Sequence, residues 1–312
     1  MRKEILKKLI ATPGSKHKVA NFDAGFTGRI NKEEADMLRL KNVDKLAKLQ
    51  DRLYAQDRYA ILAVFQGMDG AGKDGTIKHV MSGINPHGCQ VFSFKQPSNE
   101  ELDHDYLWRI SKCLPERGRI GIFNRSHYED VLIAKVHPEI LLRNKLPDVH
   151  TLEDVNKKFW TKRYRQINNF EQYLVENGII VMKFFLNVSQ EEQRRRFISR
   201  LEEEDKNWKF SSSDFEESQH WDLYMKAYSD MLAHTSTEIA PWHVIPADNK
   251  WYMRYVVAQL ICDKVAALKP QFPKVTATQQ QQINTYKRLL LDETEDVNTD
   301  MLEEKEAVGV GN

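Results

Sequence analysis

The chain has no apolar run approaching the roughly 18 residues that a membrane-spanning helix needs. Its N-terminus, MRKEILKKLIATPG, is basic, but lysines interrupt the short apolar stretch, so it reads poorly as a signal peptide. Cysteines number three, Cys89, Cys113 and Cys262. They are odd in number, far apart and without metal-ligand spacing, which argues against a disulfide framework or a thiolate zinc site. Buried thiols in a reducing cytoplasm are expected instead. None of the ten histidines stands at a convincing metal-pair spacing. There is no internal repeat, no basic–aromatic module and no recognition helix, so nucleic acid is not an expected partner. Net charge is also scarce, at +1 from 46 basic and 45 acidic residues. That balance is uneven along the chain. Residues 292–312 hold eight acids and one lysine, a net of −7, which leaves +8 on residues 1–291. Excess positive charge on a folded body attracts polyanions.

What the sequence does contain is a regular alternation. Apolar, β-branched runs at 59–66, 89–95, 118–124, 178–186 and 242–247 read as strands. Helical periodicity fills 32–57, 98–113, 151–176, 189–204, 214–233 and 249–267. Near-continuous apolar strands between amphipathic helices predict a doubly wound α/β sandwich, with a five-stranded, mostly parallel sheet covered on both faces. Polar residues 205–214 join two helices and suit a mobile lid over about 190–215. A polar extension from Thr276 reads as helical through Leu291.

The first strand runs straight into VFQGMDGAGKDGTIKHV, residues 64–80. Gly67, Gly72 and Lys73 stand where a phosphate-binding loop wants them, but Asp74 occupies the place of the usual Ser or Thr magnesium ligand. Backbone amides of 70–75 at a helix N-terminus would form an anion pocket, to which Lys73 adds a full charge. Gly67, Gly70, Gly72 and Gly75 shape that pocket. Asp69 and Asp74 flank it and would repel phosphate unless a metal ion or the phosphoryl acceptor lies between. Asp74 could equally be a first-turn acid favoured by the helix dipole.

The third strand ends in GIFNRSHYEDVL, residues 121–132. Asn124 holds the position where such loops commonly carry a magnesium-binding Asp. Ser126 and Glu129 have capping-box spacing, a sufficient structural role for Glu129. Asp130 has no such explanation and is read as pointing back to the loop, as a metal or acceptor ligand. Arg125 directly follows the strand, where sheets of this class deliver ligand-binding residues.

Together GMDGAGKDGTIKHV (67–80), SFKQPS (93–98), DYLWRI (105–110), GRIGIFNRSHYEDVL (118–132), EEQRRRFISRLEEEDKNWKFS (191–211) and APWHVIPADNKWYMR (240–254) resemble the second family of polyphosphate kinases. The resemblance spans about residues 15–270. It implies a P-loop kinase-like fold with a helical lid, and phosphoryl transfer between inorganic polyphosphate and nucleotides with magnesium, manganese being an alternative. Asp after the loop lysine is shared with the family. FNRS where many members have FDRS, with YED, resembles the subgroup acting on both AMP and ADP.

In that reading Asp69, Lys73, Arg125 and Asp130 carry catalysis, and Asp69 and Asp130 hold metal. The loop glycines, Asp74, Lys95, Arg109 and Asn124 contact nucleotide or phosphate. Polyphosphate would lie against Lys78, Arg119 and the lid cations Arg195, Arg196, Arg200 and Lys209. AMP, ADP and ATP are the expected nucleotides, and a homodimer or homotetramer the expected assembly. Trp108 and Trp208 read as core, and Asp248 as the N-cap of the final helix. The chain is expected to divide into residues 1–58, a catalytic domain over 59–270 and an extension over 271–312. The rival enzyme is an ATP-dependent nucleoside monophosphate kinase of the same fold. The rival from another class is a nucleotide- or polyanion-binding regulator without turnover.

Overall fold

The computed structural model describes residues 3–291, apart from the side chains of Lys3 and Lys209. The acidic tail therefore lies outside the described residues. The chain forms two units, one up to Gln271 and one from Phe272 onward. In the second, residues 277–291 are helical.

The first unit is built on five strands: β1 Ala60–Gln66, β2 Cys89–Ser93, β3 Ile120–Asn124, β4 Ile179–Asn187 and β5 Trp242–Pro246. Their order is β2-β3-β1-β4-β5 and every pairing is parallel. All five carboxyl ends thus lie along one edge of the sheet. Every residue of β1 and β3 is buried, as the unbroken apolar runs predict for strands covered on both faces. β1 sends its connection to one side and β4 to the other, the arrangement that opens a crevice at the strand ends.

The helices are α1 Lys3–Lys8, α2 Lys32–Gln56, α3 Lys73–Val80, α4 Asn99–Leu102, α5 Trp108–Ser111, α6 Ile133–Val136, α7 Lys157–Glu176, α8 Gln190–Glu202, α9 Ser212–Gln219, α10 Trp221–Thr235 and α11 Lys250–Ala267. One layer groups α2 and α3 with α11; another groups α6 and α7 with α10. Three expected helices are shorter or broken, each for a local reason. The span 98–113 splits because Asp105 accepts a bond from the Leu107 amide, turning the chain between α4 and α5. α7 starts only at Lys157, where Asn156 accepts from the amides of Lys158 and Phe159. The span 214–233 breaks at His220. Trp208 is 78% exposed and Trp108 is half-buried against His104, so neither is core.

Midway along β4 the apolar pattern is interrupted by Lys183, which is fully buried. Its ammonium donates to Glu171 Oε2 at 2.6 Å, to the Thr235 carbonyl at 2.6 Å and to Tyr128 Oη at 3.0 Å. Tyr128 in turn donates to Glu171 Oε1 at 2.7 Å. Glu171 is itself fully buried, and burial alone would raise its pKa. Lys183 overrides that and holds the carboxyl below its ordinary value. The group thus ties α7, α10 and the segment after β3 to the sheet. Because the folded pKa is depressed, this contribution to stability is present above the ordinary carboxylate range and is lost as pH falls through the folded value.

Lys183→Met should lower unfolding stability in urea at pH 7 by about 3–5 kcal/mol, because it strands a buried carboxylate. Adding Glu171→Leu should restore a large part of that loss; a double variant no more stable than the single would contradict this account.

Candidate active site

Three connections converge at the carboxyl edge of the sheet: the loop between β1 and α3, the turn after β3, and α8 after β4. The first is glycine-shaped for identifiable reasons. Gly67 has φ 155°, and a Cβ there would stand 2.9 Å from the Leu186 carbonyl oxygen. Gly70 and Gly72 have φ 84° and 100°, which L side chains seldom adopt. α8 lies on this loop through Gln193, Arg196 and Phe197. Gln193 donates to the Asp69 carbonyl at 2.7 Å. The Arg196 guanidinium is buried and donates to the carbonyls of Gly70 (2.8 Å), Ala71 (2.9 Å), Ala247 and Asp248. Its Nε meets Glu192 at 2.8 Å.

Lys73 is nearly buried and folds back to donate to the Gly67 carbonyl at 2.6 Å, with Asp69 at 3.7 Å. Burial pushes its pKa down, against the pull of Asp69, Glu129 and Asp74. Arg125 donates to Asp69 Oδ1 at 2.6 Å. Burial works against both charges of that pair. Asp69 is nonetheless held below the carboxylate range by Lys73, Arg125 and Arg200, while Asp69 and Glu129 hold Arg125 above its ordinary value. Arg125 has φ 63°, a left-handed conformation that swings its side chain out of the strand pattern as β3 ends. Asn124 donates to the Asp74 carboxylate, and its Oδ1 is buried without a donor.

Neither Glu129 nor Asp130 takes the place expected of it. Ser126 Oγ accepts from Tyr128 N at 3.2 Å and Gln66 Nε2 at 3.0 Å, and the segment is a tight 3-10 turn. No capping box forms, and Glu129 lies within reach of the Arg125 and Lys73 charges. Burial raises its pKa, opposed by those two cations. Asp130 does not turn back to the loop. It lines a neighbouring cavity of about 220 Å³ with Lys95, Arg109, Tyr106, His127 and Arg163. Arg163 Nη1 stands 3.9 Å from it. Burial, only partly offset by Arg163, pushes the Asp130 pKa up to about 6. Arg109 donates to the Lys95 carbonyl at 3.0 Å, pairs with Glu101 at 3.3 Å and covers the Phe94 ring. Lys95 is exposed just beyond β2.

Other residues stand apart. Arg119 precedes β3 and so lies at the far end of the sheet, about 16 Å from the carboxyl edge at the usual strand rise, paired with Glu116. It cannot share a track with Lys73. Arg196 has its donors committed to the loop and to Glu192, so it braces the protein rather than offering a free fork. Arg195 is on the outer face of α8, paired with Glu191 and Glu192. Arg200, one turn beyond Arg196, stays near the loop; it donates to Asp214 at 3.2 Å and its charge reaches Asp69. Lys78 is exposed on the second turn of α3, and the Lys209 side chain is outside the described residues. Asp248 accepts from the Ser189 amide at 2.8 Å, while Asn249 takes the N-cap position. Glu129, Arg163 and Tyr106 were not legible as site residues in the sequence, because their placement depends on a turn type and on α7.

Among the described residues no three His, Cys, Asp or Glu side chains are grouped to hold a metal. Magnesium does not demand such a cage, since it commonly takes one or two carboxylates and completes its shell with water and substrate phosphate. The donor-less Asn124 Oδ1 beside Asp74, and the Asp69 carboxylate at the loop, are hard oxygens suited to it.

The raised Asp130 pKa has a measurable sign. Its charged form is disfavoured in the fold, so wild type loses stability as pH rises from about 4 through 6. Asp130→Asn should therefore match wild type in thermal midpoint near pH 4 and exceed it above pH 7; a constant difference across that range would contradict the burial argument.

Comparison with known proteins gives the family. Polyphosphate kinase 2 is the family whose sequence profile matches residues 29–273. An ADP-polyphosphate phosphotransferase of Rhodopseudomonas palustris is 51% identical over 261 residues, covering 84% of this chain and 89% of its own. An AMP/ADP-polyphosphate phosphotransferase of Meiothermus ruber is 40% identical over 271 residues, covering 86% and 96%. The crystal structure of polyphosphate kinase 2 from Arthrobacter aurescens TC1 superimposes with a TM-score of 0.77 at 38% identity, over 88% of this chain and 98% of that one. With the matched profile spanning most of the chain, the protein belongs to the polyphosphate kinase 2 family.

Proposed function

We propose that the protein transfers phosphoryl groups between inorganic polyphosphate and nucleoside mono- and diphosphates, AMP to ADP and ADP to ATP, reversibly. The carrying observation is the phosphate loop with Lys73, Asp69 and Arg125 locked together beside an adjoining cavity lined by Asp130, Lys95 and Arg109. One site holds a donor phosphate; the other has room and charge for an acceptor.

Transfer forms a bond from an acceptor phosphate oxygen to the terminal phosphorus of polyphosphate and breaks the anhydride bond behind it. The donor leaves one unit shorter. An acceptor phosphate is already ionised at neutral pH, so the protein supplies no general base. Its work is positioning and charge neutralisation. Loop amides and Lys73 hold the transferring group. Arg125 and Arg200 face the oxygens on which charge accumulates. Lys95 and Arg109 hold the acceptor phosphates, and Asp130 with Arg163 bounds the acceptor cavity. Asp69, Asp74 and Asn124 would hold a magnesium ion, which when bound offsets phosphate charge. Asp130, placed beside Arg163, serves the acceptor rather than the metal. Relatives named for ADP, for AMP and for both support the two acceptors. Among the described residues no helix is long and apolar enough to cross a membrane. Free thiols and nucleotide substrates support a cytoplasmic setting.

With magnesium, long-chain polyphosphate and no ATP, the purified protein should convert ADP to ATP and AMP first to ADP, followed by chromatography. Asp69→Asn should lower the rate about 100-fold or more. ATP from ADP alone would remove AMP from the acceptors. ADP formed from ATP plus AMP, with polyphosphate inert, would overturn the reading in favour of a nucleoside monophosphate kinase.

A further inference from the structure

The family profile ends at residue 273, and a further helix follows it over 277–291. Thr276 opens that helix with a capping box. Its hydroxyl accepts from the Gln279 amide at 3.2 Å, and the Gln279 side chain accepts from the Thr276 amide at 2.9 Å. Every residue from Gln271 to Leu291 is exposed, among them Phe272, Val275, Ile283, Tyr286 and Leu289. A helix of about four turns gains most of its stability by packing an apolar face and is marginal without one. This helix has the face and needs a cover.

The sequence indicates what the cover is. Ile283, Tyr286 and Leu290 follow one another at spacings of three and four, the seam of a two-stranded coiled coil, and with Val275 they line one groove. Charge is also segregated along the segment. Residues 272–291 contain Lys274, Lys287 and Arg288 and no acid, whereas residues 292–296 hold four acids and no base. Two such segments laid parallel would set like charges side by side. Laid antiparallel, the basic beginning of each meets the acidic sequence that follows the other, so the segment is complementary to itself. The seam then brings Ile283 against the partner's Tyr286 about a twofold axis, and the same register sets Lys274 opposite the partner's Glu295.

We propose that the helix over 277–291 is a self-association surface, which pairs antiparallel with the same helix of a second copy of this chain. The contact lies outside the catalytic unit and does not depend on which phosphate donor the enzyme uses. It joins chains without taking part in transfer.

The test uses the full chain, with mass measured by sedimentation equilibrium. Ile283→Asp should lower the average mass about twofold at equal concentration, while turnover per chain stays at the wild-type value. Lys274→Glu and Glu295→Lys should each weaken association about fivefold at low salt, and the two together should restore it. Within one chain these positions flank the helix at opposite ends, so only an antiparallel partner can bring them together. Oxidising an equal mixture of Ile283→Cys and Tyr286→Cys chains should give the mixed disulfide between the two substituted positions. Same-site disulfides alone would show a parallel pair and overturn the arrangement. Equal masses for wild type and Ile283→Asp, with no mixed disulfide, would mean that the same chain or a different partner covers this face, and would overturn the proposal. A charge-reversed pair no stronger than either single variant would overturn it also.

Discussion

The site depends most on one buried guanidinium. Arg196 faces four backbone carbonyls, two from the phosphate loop and two from the connection between β5 and α11. Peptide planes are rigid, so the Ala71 carbonyl turned towards Arg196 directs the Gly72 amide away from it. The charge thereby fixes the loop's orientation before any substrate arrives. It also fastens the first half of α8 to the loop. Residues Gln193, Arg196 and Phe197, inside the span 190–215 expected to form a lid, lie against the loop as part of its wall. A lysine in this place could not present the planar fork that spans both loops.

Around that fixed frame, charge is sorted by position. Asp69, Asp74 and Glu129 surround the loop lysine, and Arg125 faces them. Asp130, one residue from Glu129, lines the same cavity with it but has Arg163 as its counter-charge, whereas Glu129 lies within reach of Arg125 and Lys73. Along the 3-10 turn over His127–Val131 the two adjacent acids meet different cations, Glu129 those of the loop and Asp130 Arg163. The turn itself is anchored from behind by Tyr128, held by Glu171 and Lys183. An anchor to the interior ion pair and a wall of the candidate site are therefore successive residues of one segment.

Much of this was legible in the sequence. The five strands fall within a residue or two of their expected bounds, because parallel strands buried on both faces read as unbroken apolar runs. The glycines and Lys73 announced the loop. What the sequence concealed was direction. Arg195, Arg196 and Arg200 read alike as phosphate-binding lid cations, but only packing shows that Arg196 is spent on backbone carbonyls while Arg195 stays outside. Ser126 and Glu129 match a capping box, yet Gln66 and the Tyr128 amide claim the serine first. Arg119 shares its sequence stretch with Asn124 and Arg125, but lies at the opposite end of β3. Lys183, which the reading of 178–186 as an apolar strand passed over, is the hub of a buried network.

One edge of the sheet is closed by an unexpected segment. Residues 9–11 run antiparallel beside β5: the Val244 amide donates to the Leu9 carbonyl at 2.6 Å and the Ala11 amide to the Trp242 carbonyl at 2.9 Å. Such a cover hides an otherwise open edge from other chains. It also joins residues made early by the ribosome to the strand made last. During synthesis the sheet can grow outward from β1, but its final edge stays open until residues 242–246 emerge, when the waiting N-terminal segment can close it. Completion of this fold is thus a late, long-range event, and a nascent chain halted before β5 would keep both its sheet edge and its first residues unpaired.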